Sequence, residues 1–163
     1  MQEADLEQLA VVLGNKLQET NLMMTAAESC TGGWIAKLMT DVPGSSRWFE
    51  RGFVTYSNSS KMDMLGVRQD SLDLFGAVSE QVVRQMVAGA LQHSQADVAV
   101  AVSGVAGPGG GLLNKPVGTV WIAWAMAETV VAERCWFPGN RNQVRCQTVV
   151  HALSGMEKML EQA

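Results

Sequence analysis

The stretch TAAESCTGG at residues 25–33 decides the fold prediction for this chain. It continues an apolar run from Leu22 that is typical of a buried strand, and it leads into a segment that places Trp34, Ile35 and Leu38 on one helical face. A strand that turns directly into a helix projects its turn residues beyond the sheet edge, next to the unpaired N–H groups of the first helical turn. Residues 25–33 therefore predict a strand–turn–helix unit whose turn can hold a nucleophile or an anion.

Strands and helices alternate through the rest of the chain. Periodicity and turn residues predict helices at residues 3–19, 34–42, 57–65, 79–94 and 140–161, and strands at 22–27, 52–56, 97–102, 118–126 and 129–137. The last two strands flank a tight connection and predict an antiparallel hairpin. The expected fold is therefore α/β: a single domain over residues 1–163, a three-layer α/β/α sandwich with a mixed, largely parallel sheet.

Composition excludes several classes of function. The 163 residues are 47% hydrophobic, enough for one core, and carry 12 Lys and Arg against 16 Asp and Glu. A net charge of -4 without a basic stripe argues against a nucleic-acid partner. No apolar run is long enough for a membrane span, and the N-terminus MQEADLEQL is acidic where a signal peptide is basic. We therefore expect a cytoplasmic protein with no membrane partner.

The cysteines and histidines do not form a recognisable ligand pattern. Three cysteines, an odd number without paired spacing, fit a reducing compartment better than a disulfide framework. The two histidines, His93 and His151, lie far apart on predicted helices. The sequence therefore predicts no metal site.

Three polar stretches follow predicted strands. They are the turn at Ser29, the segment after Tyr56 and the glycine-rich residues 103–111, SGVAGPGGG. In an open α/β sheet, ligands bind beyond the carboxyl ends of the strands. We therefore expect these stretches to converge on one site.

Ser29 is the candidate nucleophile, because a hydroxyl at such a turn is exposed and faces N–H groups that can stabilise an oxyanion. Neither histidine lies near a Gly- or Ser-rich loop, so a Lys deprotonated by burial is the remaining base, and Lys61 is the natural choice. Residue patterns alone leave other interpretations open. Ser29 can be a helix cap, Lys61 a solvated surface residue, and Cys30 either a rival nucleophile or a small buried filler.

Anion binding has candidates as well. Residues 103–111 can cradle a phosphate with backbone amides, donate to an oxyanion, or simply connect two strands; they match neither standard glycine-rich nucleotide motif. Arg141 and Arg145 lie one helical turn apart and can grip a phosphate or carboxylate together. Glu28 can orient Lys61 or cap the turn.

Several longer segments of the chain resemble a known protein family. The segments AESCTGGWIAKLMTDVPGSSRWFERGFVTYSNSSKMDMLGV, GAVSEQVV, VSGVAGPGGG, KPVGTVW and GNRNQVR together resemble the CinA C-terminal domain family, specifically its stand-alone nicotinamide-mononucleotide amidohydrolases. The resemblance covers nearly the whole chain. It implies hydrolysis of the carboxamide of nicotinamide mononucleotide to nicotinate mononucleotide and ammonia, in pyridine nucleotide recycling. It implies no metal or redox cofactor, and none of the additional N-terminal domain that larger relatives carry.

The resemblance also implies roles for residues. Ser29 and Lys61 correspond to a catalytic Ser-Lys dyad, with Tyr56 close to the pair. The predicted substrate-binding residues are Glu28, Cys30, Thr31, Gly32 and Gly33 at the turn, Ser103, Gly104 and Gly107 in the glycine-rich loop, and Arg141 and Arg145.

The sequence also bears on the oligomeric state and on two alternative functions. The resemblance favours a homo-oligomer. The alternative function is a catalytically silent nucleotide-binding or regulatory module of the same fold. A third possibility is an amidase for another small amide.

Overall fold

Helices and strands alternate as the sequence predicts. The computed structural model describes residues 2–163, and within them six α-helices and five strands occur, with one short 3-10 turn at Ser45–Arg47. The helices are α1 Glu3–Thr20, α2 Trp34–Thr40, α3 Asn58–Leu65, α4 Gln69–Phe75, α5 Glu80–Gln92 and α6 Arg141–Glu161. The strands are β1 Met24–Glu28, β2 Phe49–Val54, β3 Val98–Gly104, β4 Thr119–Met126 and β5 Thr129–Trp136.

The five strands form one mixed sheet in the order β2-β1-β3-β4-β5. Strand β1 is parallel to both β2 and β3, whereas β3–β4 and β4–β5 are antiparallel. This confirms the α/β fold and the C-terminal hairpin. The parallel part comprises three strands, because β3 and β4 are joined by a loop without a helix and the chain returns antiparallel.

Helices cover both faces of the sheet and divide the core in two. Alternate β3 residues separate the two sides: the valines at 98, 100 and 102 pack in the cluster with α1, α2 and α6, and the alanines at 99 and 101 pack in the cluster with α3, α4 and α5. All five side chains are fully buried. The predicted central strand, covered on both faces, is therefore confirmed.

Element boundaries differ from the prediction mainly around the polar loops. Strand β2 lies at Phe49–Val54, earlier than the predicted residues 52–56. The carbonyls of Thr55 and Tyr56, directly after the strand, accept hydrogen bonds from the Lys61 amine instead of pairing in the sheet. Helix α4 was not predicted. No helix among residues 2–163 combines the length and the apolarity that a bilayer span requires.

Helix caps fix the segments that carry the polar residues. Ser57 accepts a hydrogen bond from the backbone N–H of Ser60 at the start of α3, and Ser79 caps α5 in the same way. Asn140 and Gln143 form a reciprocal capping box at the start of α6. Each cap stabilises its helix by about 1 kcal/mol.

Candidate active site

The turn after β1 is held at its base by the neighbouring strand. The Ser29 N–H donates to the carbonyl of Val102 at 3.1 Å, and the Gly32 N–H donates back to the Ser29 carbonyl at 3.1 Å. Gly32 and Gly33 have φ of 62° and 103°, a region that favours glycine. The pair of glycines therefore lets the chain reverse from the strand into α2 directly after Ser29.

The Glu28 carboxylate stabilises this turn through hydrogen bonds. Its carboxylate is fully buried and accepts hydrogen bonds from the Thr31 hydroxyl at 2.6 Å and from the N–H groups of Ile35 and Ala36 at 2.8 and 3.0 Å. A carboxylate at this position satisfies the unpaired donors of the α2 N-terminus. Of the two roles open to Glu28 from the sequence, the structure shows the cap and not the orientation of Lys61.

The Lys61 amine lies against the Ser29 hydroxyl. Its Nζ is 2.9 Å from Ser29 Oγ, 2.9 Å from the Thr55 carbonyl oxygen and 3.0 Å from the Tyr56 carbonyl oxygen. The Lys61 side chain is 1% exposed, and no carboxylate within residues 2–163 forms an ion pair with it. The solvated-surface interpretation of Lys61 is therefore wrong.

The surroundings of Lys61 favour its neutral form. Burial lowers the pKa of the amine to about 8, because the charged form loses its hydration. A neutral amine has two N–H donors and one lone pair, and the two neighbouring carbonyls can only accept. Both donors are therefore taken by Thr55 and Tyr56, and the lone pair faces the Ser29 hydroxyl.

The thiol of Cys30, the residue after Ser29, is protonated and therefore a weak nucleophile. Cys30 is buried, and burial raises its pKa to about 12, so it carries a proton at neutral pH. The thiolate is the nucleophilic form of cysteine. Cys30 therefore fits the filler interpretation better than that of a rival nucleophile.

A cleft of about 290 Å³ opens over Ser29 and Lys61. All three polar stretches reach it, so their predicted convergence is confirmed. The contributing residues are Ser29 and Cys30 from the turn, Tyr56, Asn58 and Lys61 from the second segment, Ser103, Gly104 and Ala106 from the loop, and Arg141 from α6.

Two parts of the cleft wall were missed by sequence reasoning. Asn58 is the first residue of α3, and Ala77 and Val78 directly precede the Ser79 cap of α5. Helix N-termini attract anions. The caps at Ser57 and Ser79 were the available signal for these positions.

Unpaired backbone donors occur at the turn. Within residues 2–163 the N–H groups of Cys30 and Thr31 donate to no protein acceptor, whereas that of Gly32 is taken by Ser29. Cys30 lines the cleft, and Thr31 lies on a separate surface depression with Gly32 and Gly33. Of the four predicted turn residues, Cys30 is thus the one placed to present its N–H to a bound group.

The two arginines occupy different places. Arg141 lies on the cleft and donates to the Gly107 carbonyl at 2.7 Å and to the Tyr56 hydroxyl at 3.3 Å. Gly107 does not line the cleft; its carbonyl binds Arg141 behind the cleft wall.

Arg145 holds the turn from outside the cleft. It donates to the carbonyls of Cys30 and Thr31 at 2.9 and 3.2 Å, and its guanidinium lies 5.8 Å from the Trp34 ring centre. The structure therefore places Arg141 within reach of a ligand and Arg145 behind the turn, so the two do not form a single anion grip.

Comparisons with known proteins identify the family of the chain. The family model of the CinA C-terminal domain matches residues 6–160. Over 155 residues the chain is 52% identical to the nicotinamide-nucleotide amidohydrolase PncC of Escherichia coli K12, covering 94% of this chain and 93% of that protein. The Pseudomonas putida protein of the same name is 55% identical over 148 residues, covering 91% and 92%.

A solved structure has the same fold. The competence/damage inducible protein CihA from Agrobacterium tumefaciens superimposes with a TM-score of 0.92 at 45% identity, covering 96% of each chain.

Proposed function

The chain belongs to the CinA C-terminal domain family, and from this membership we propose that it hydrolyses the carboxamide of nicotinamide mononucleotide to nicotinate mononucleotide and ammonia. The observation that carries the proposal is the 2.9 Å contact between Ser29 Oγ and Lys61 Nζ. It lies in a chain 52% identical to a protein named nicotinamide-nucleotide amidohydrolase. The proposed activity belongs to pyridine nucleotide recycling.

In the acylation step, the neutral Lys61 amine takes the Ser29 proton as the hydroxyl oxygen attacks the amide carbon. The tetrahedral oxyanion accepts a hydrogen bond from the Cys30 N–H, one of the unpaired donors at the turn. Lys61 then returns the proton to the leaving nitrogen. Ammonia departs, and an ester joins Ser29 to the nicotinoyl group.

In the deacylation step, Lys61 acts again as a base. It takes a proton from a water molecule that attacks the ester carbon, and the collapse of the second tetrahedral intermediate breaks the bond to Ser29 Oγ. Lys61 returns its proton to the departing Ser29 oxygen. Nicotinate mononucleotide leaves as the carboxylate, and its acid proton is taken up by the released ammonia.

The substrate phosphate is assigned to the Arg141 side of the cleft. Arg141 places a cation there beside the Tyr56 hydroxyl, and Ser103 and Gly104 lie along the same wall. An arginine suits a phosphate because its planar fork can donate two parallel hydrogen bonds. The pyridine carboxamide then lies at Ser29.

The first test measures ammonia release from nicotinamide mononucleotide. Lys61→Met should lower kcat by about 10²- to 10⁴-fold, the range expected when a general base is lost, and Ser29→Ala, which removes the nucleophile, should lower it by about 10⁴-fold or more. Cys30→Ala is the matched control at the same turn, and its kcat should fall far less than in the other two variants. Circular dichroism verifies that each variant is folded.

The outcome discriminates between the candidate functions. Binding of the nucleotide by the parent protein without ammonia release would contradict the proposal and favour a silent nucleotide-binding module. Turnover of nicotinamide or asparagine at rates equal to that of the mononucleotide would identify a general amidase. Loss of activity in Cys30→Ala with intact folding would reopen a thiol mechanism.

We further propose that the enzyme is a cytoplasmic homo-oligomer. Exposed apolar side chains support an interface between copies: Leu74, Phe75, Leu112 and Leu113. Light scattering on the purified protein measures the oligomeric state, and a monomer at micromolar concentration would contradict the proposal.

A further inference from the structure

A second cluster of reactive side chains lies away from the cleft over Ser29. Glu133, Cys135 and His151 each present one ligand atom, and these three atoms all lie within 4.8 Å of one another. His151 Nε2 is 2.7 Å from Glu133 Oε2. None of the three takes part in the proposed amide hydrolysis.

The fold brings this cluster together from distant parts of the chain. Glu133 and Cys135 are two positions apart on β5 and so point to the same face of the sheet. His151 comes from α6, which packs on that face. Because β5 is the outermost strand, the cluster lies where the sheet edge meets the C-terminal helix.

The imidazole of His151 has two aromatic neighbours. The His151 ring centre is 6.0 Å from that of Trp124 and 5.8 Å from that of Phe137. Both aromatic rings lie beside the partly exposed His151 ring, whose Nε2 is directed at Glu133 on β5.

The donor set selects a class of metal. Thiolate, imidazole and carboxylate together suit zinc, whereas magnesium and calcium prefer oxygen ligands alone. In a tetrahedral zinc site the bonds to the ligands are about 2.0 to 2.3 Å long, so the ligand atoms lie roughly 3.3 to 3.8 Å apart. The Glu133 and His151 side chains are partly exposed, so the small adjustments from the observed spacing are sterically open.

A fourth coordination position is accessible to water. His151 and Ser154 line two adjoining surface clefts of about 670 and 230 Å³, and Glu133 lines the smaller one. A cysteine binds a metal ion as the thiolate, so an incoming metal ion displaces the Cys135 thiol proton.

We propose that Glu133, Cys135 and His151 form a zinc-binding site that joins β5 to α6, with water as the fourth ligand. The inference is independent of the amidase activity, since it uses none of the residues assigned to that reaction. Zinc bound to the folded chain alone shifts the unfolding equilibrium by mass action.

The test uses zinc and cobalt as probes on the intact chain. Zinc at about 100 times its Kd should raise Tm by roughly 5 to 10 °C. Cobalt should produce a thiolate-to-metal charge-transfer absorption that zinc abolishes by competition. Cys135→Ser should remove the absorption, and His151→Gln should remove both the absorption and the Tm shift.

Matched controls separate a built site from scattered metal binding. Cys146→Ser changes another thiol beside His151 on α6, and His93→Gln changes the other histidine; both should leave the two signals unchanged. Glu133→Gln, at an exposed position that should not disturb folding, should weaken zinc binding at least tenfold. No cobalt absorption in the parent protein, or an absorption that persists in Cys135→Ser, would overturn the proposal.

Discussion

Among residues 2–163 no carboxylate pairs with the buried Lys61 amine, and this lack of a counter-ion favours the neutral form that accepts a proton. Three hydrogen bonds to uncharged oxygens replace its hydration. A neighbouring carboxylate would have stabilised the ammonium and raised the pKa. Glu28, the buried carboxylate closest in sequence to Ser29, is instead engaged by Thr31 and the start of α2.

The pH dependence of catalysis follows from this environment. Because the pKa of Lys61 is lowered to about 8, the active neutral form increases as pH rises through 8. We expect kcat/KM to rise about tenfold per pH unit below 8 and to level off above it. Steady-state assays from pH 6 to pH 9 measure this; a flat profile would exclude Lys61 as the base.

The two arginines of α6 should have separable kinetic effects. Arg141→Ala should raise KM for nicotinamide mononucleotide by about 10- to 100-fold, the value of a lost charge-assisted hydrogen bond. Nicotinamide riboside, which lacks the phosphate, should be affected far less. Arg145→Ala should chiefly lower kcat, because it removes the two hydrogen bonds through which Arg145 fixes the carbonyls of Cys30 and Thr31 at the turn.

The comparison of the two substrates tests both assignments. If Arg145→Ala, and not Arg141→Ala, removes the preference for the phosphorylated substrate, the placement of the phosphate is wrong. Arg141→Lys, which keeps the charge but not the planar fork, should restore part of the affinity.

At the scale of elements, the position of Lys61 depends on how closely α3 approaches α5. A Cβ at Gly89 of α5 would lie 1.9 Å from the backbone oxygen of Leu65, the last residue of α3. No side chain fits there without moving a helix. The contact between the two helices therefore requires a glycine, and it sets the distance of α3 from the sheet.

Gly89→Ala should thus affect stability and catalysis together. Overpacking of this kind costs about 1 to 3 kcal/mol of unfolding free energy, and displacement of α3 should lower kcat by moving Lys61 away from Ser29. Gly109→Ala is the control, because a Cβ there meets nothing within 4 Å. Urea unfolding and ammonia release measure the two effects; an active Gly89→Ala enzyme of normal stability would contradict this account.

At the scale of the whole molecule, the buried Lys61 and Cys30 and the half-buried Cys135 make stability depend on pH in opposite directions. Lys61 has its pKa lowered from 10.5 to about 8, so above pH 8 the unfolded chain binds more protons and stability rises. Cys30 and Cys135 have theirs raised from 9.0 to about 12 and 11, so above pH 9 the folded chain holds more protons and stability falls.

The unfolding free energy should therefore increase between pH 8 and pH 9 and then level off or decline. In Lys61→Met the increase between pH 8 and pH 9 should disappear, while the decline above pH 9 remains. Denaturant unfolding at half-unit pH intervals measures both parts. An unchanged increase in Lys61→Met would show that another group produces it.

The sequence alone determined the order and type of most elements and the turn at Ser29, because apolar periodicity, caps and glycines are local signals. It did not predict α4, because a helix of 7 residues is too short to show a clear apolar periodicity. It also placed β2 too late, and it gave no sign that the carbonyls directly after this strand are bound by Lys61, a contact that forms only in the folded chain.

The tertiary structure decided which residues share a site. Ser29 and Lys61 are 32 positions apart, and only the parallel pairing of β1 with β2 and the packing of α3 bring their atoms to 2.9 Å. The same holds for Glu28, Arg145 and the cluster around His151, whose partners lie on other elements. Local sequence specifies backbone conformation residue by residue, whereas burial, hydrogen-bond partners and pKa depend on what the folded chain places alongside.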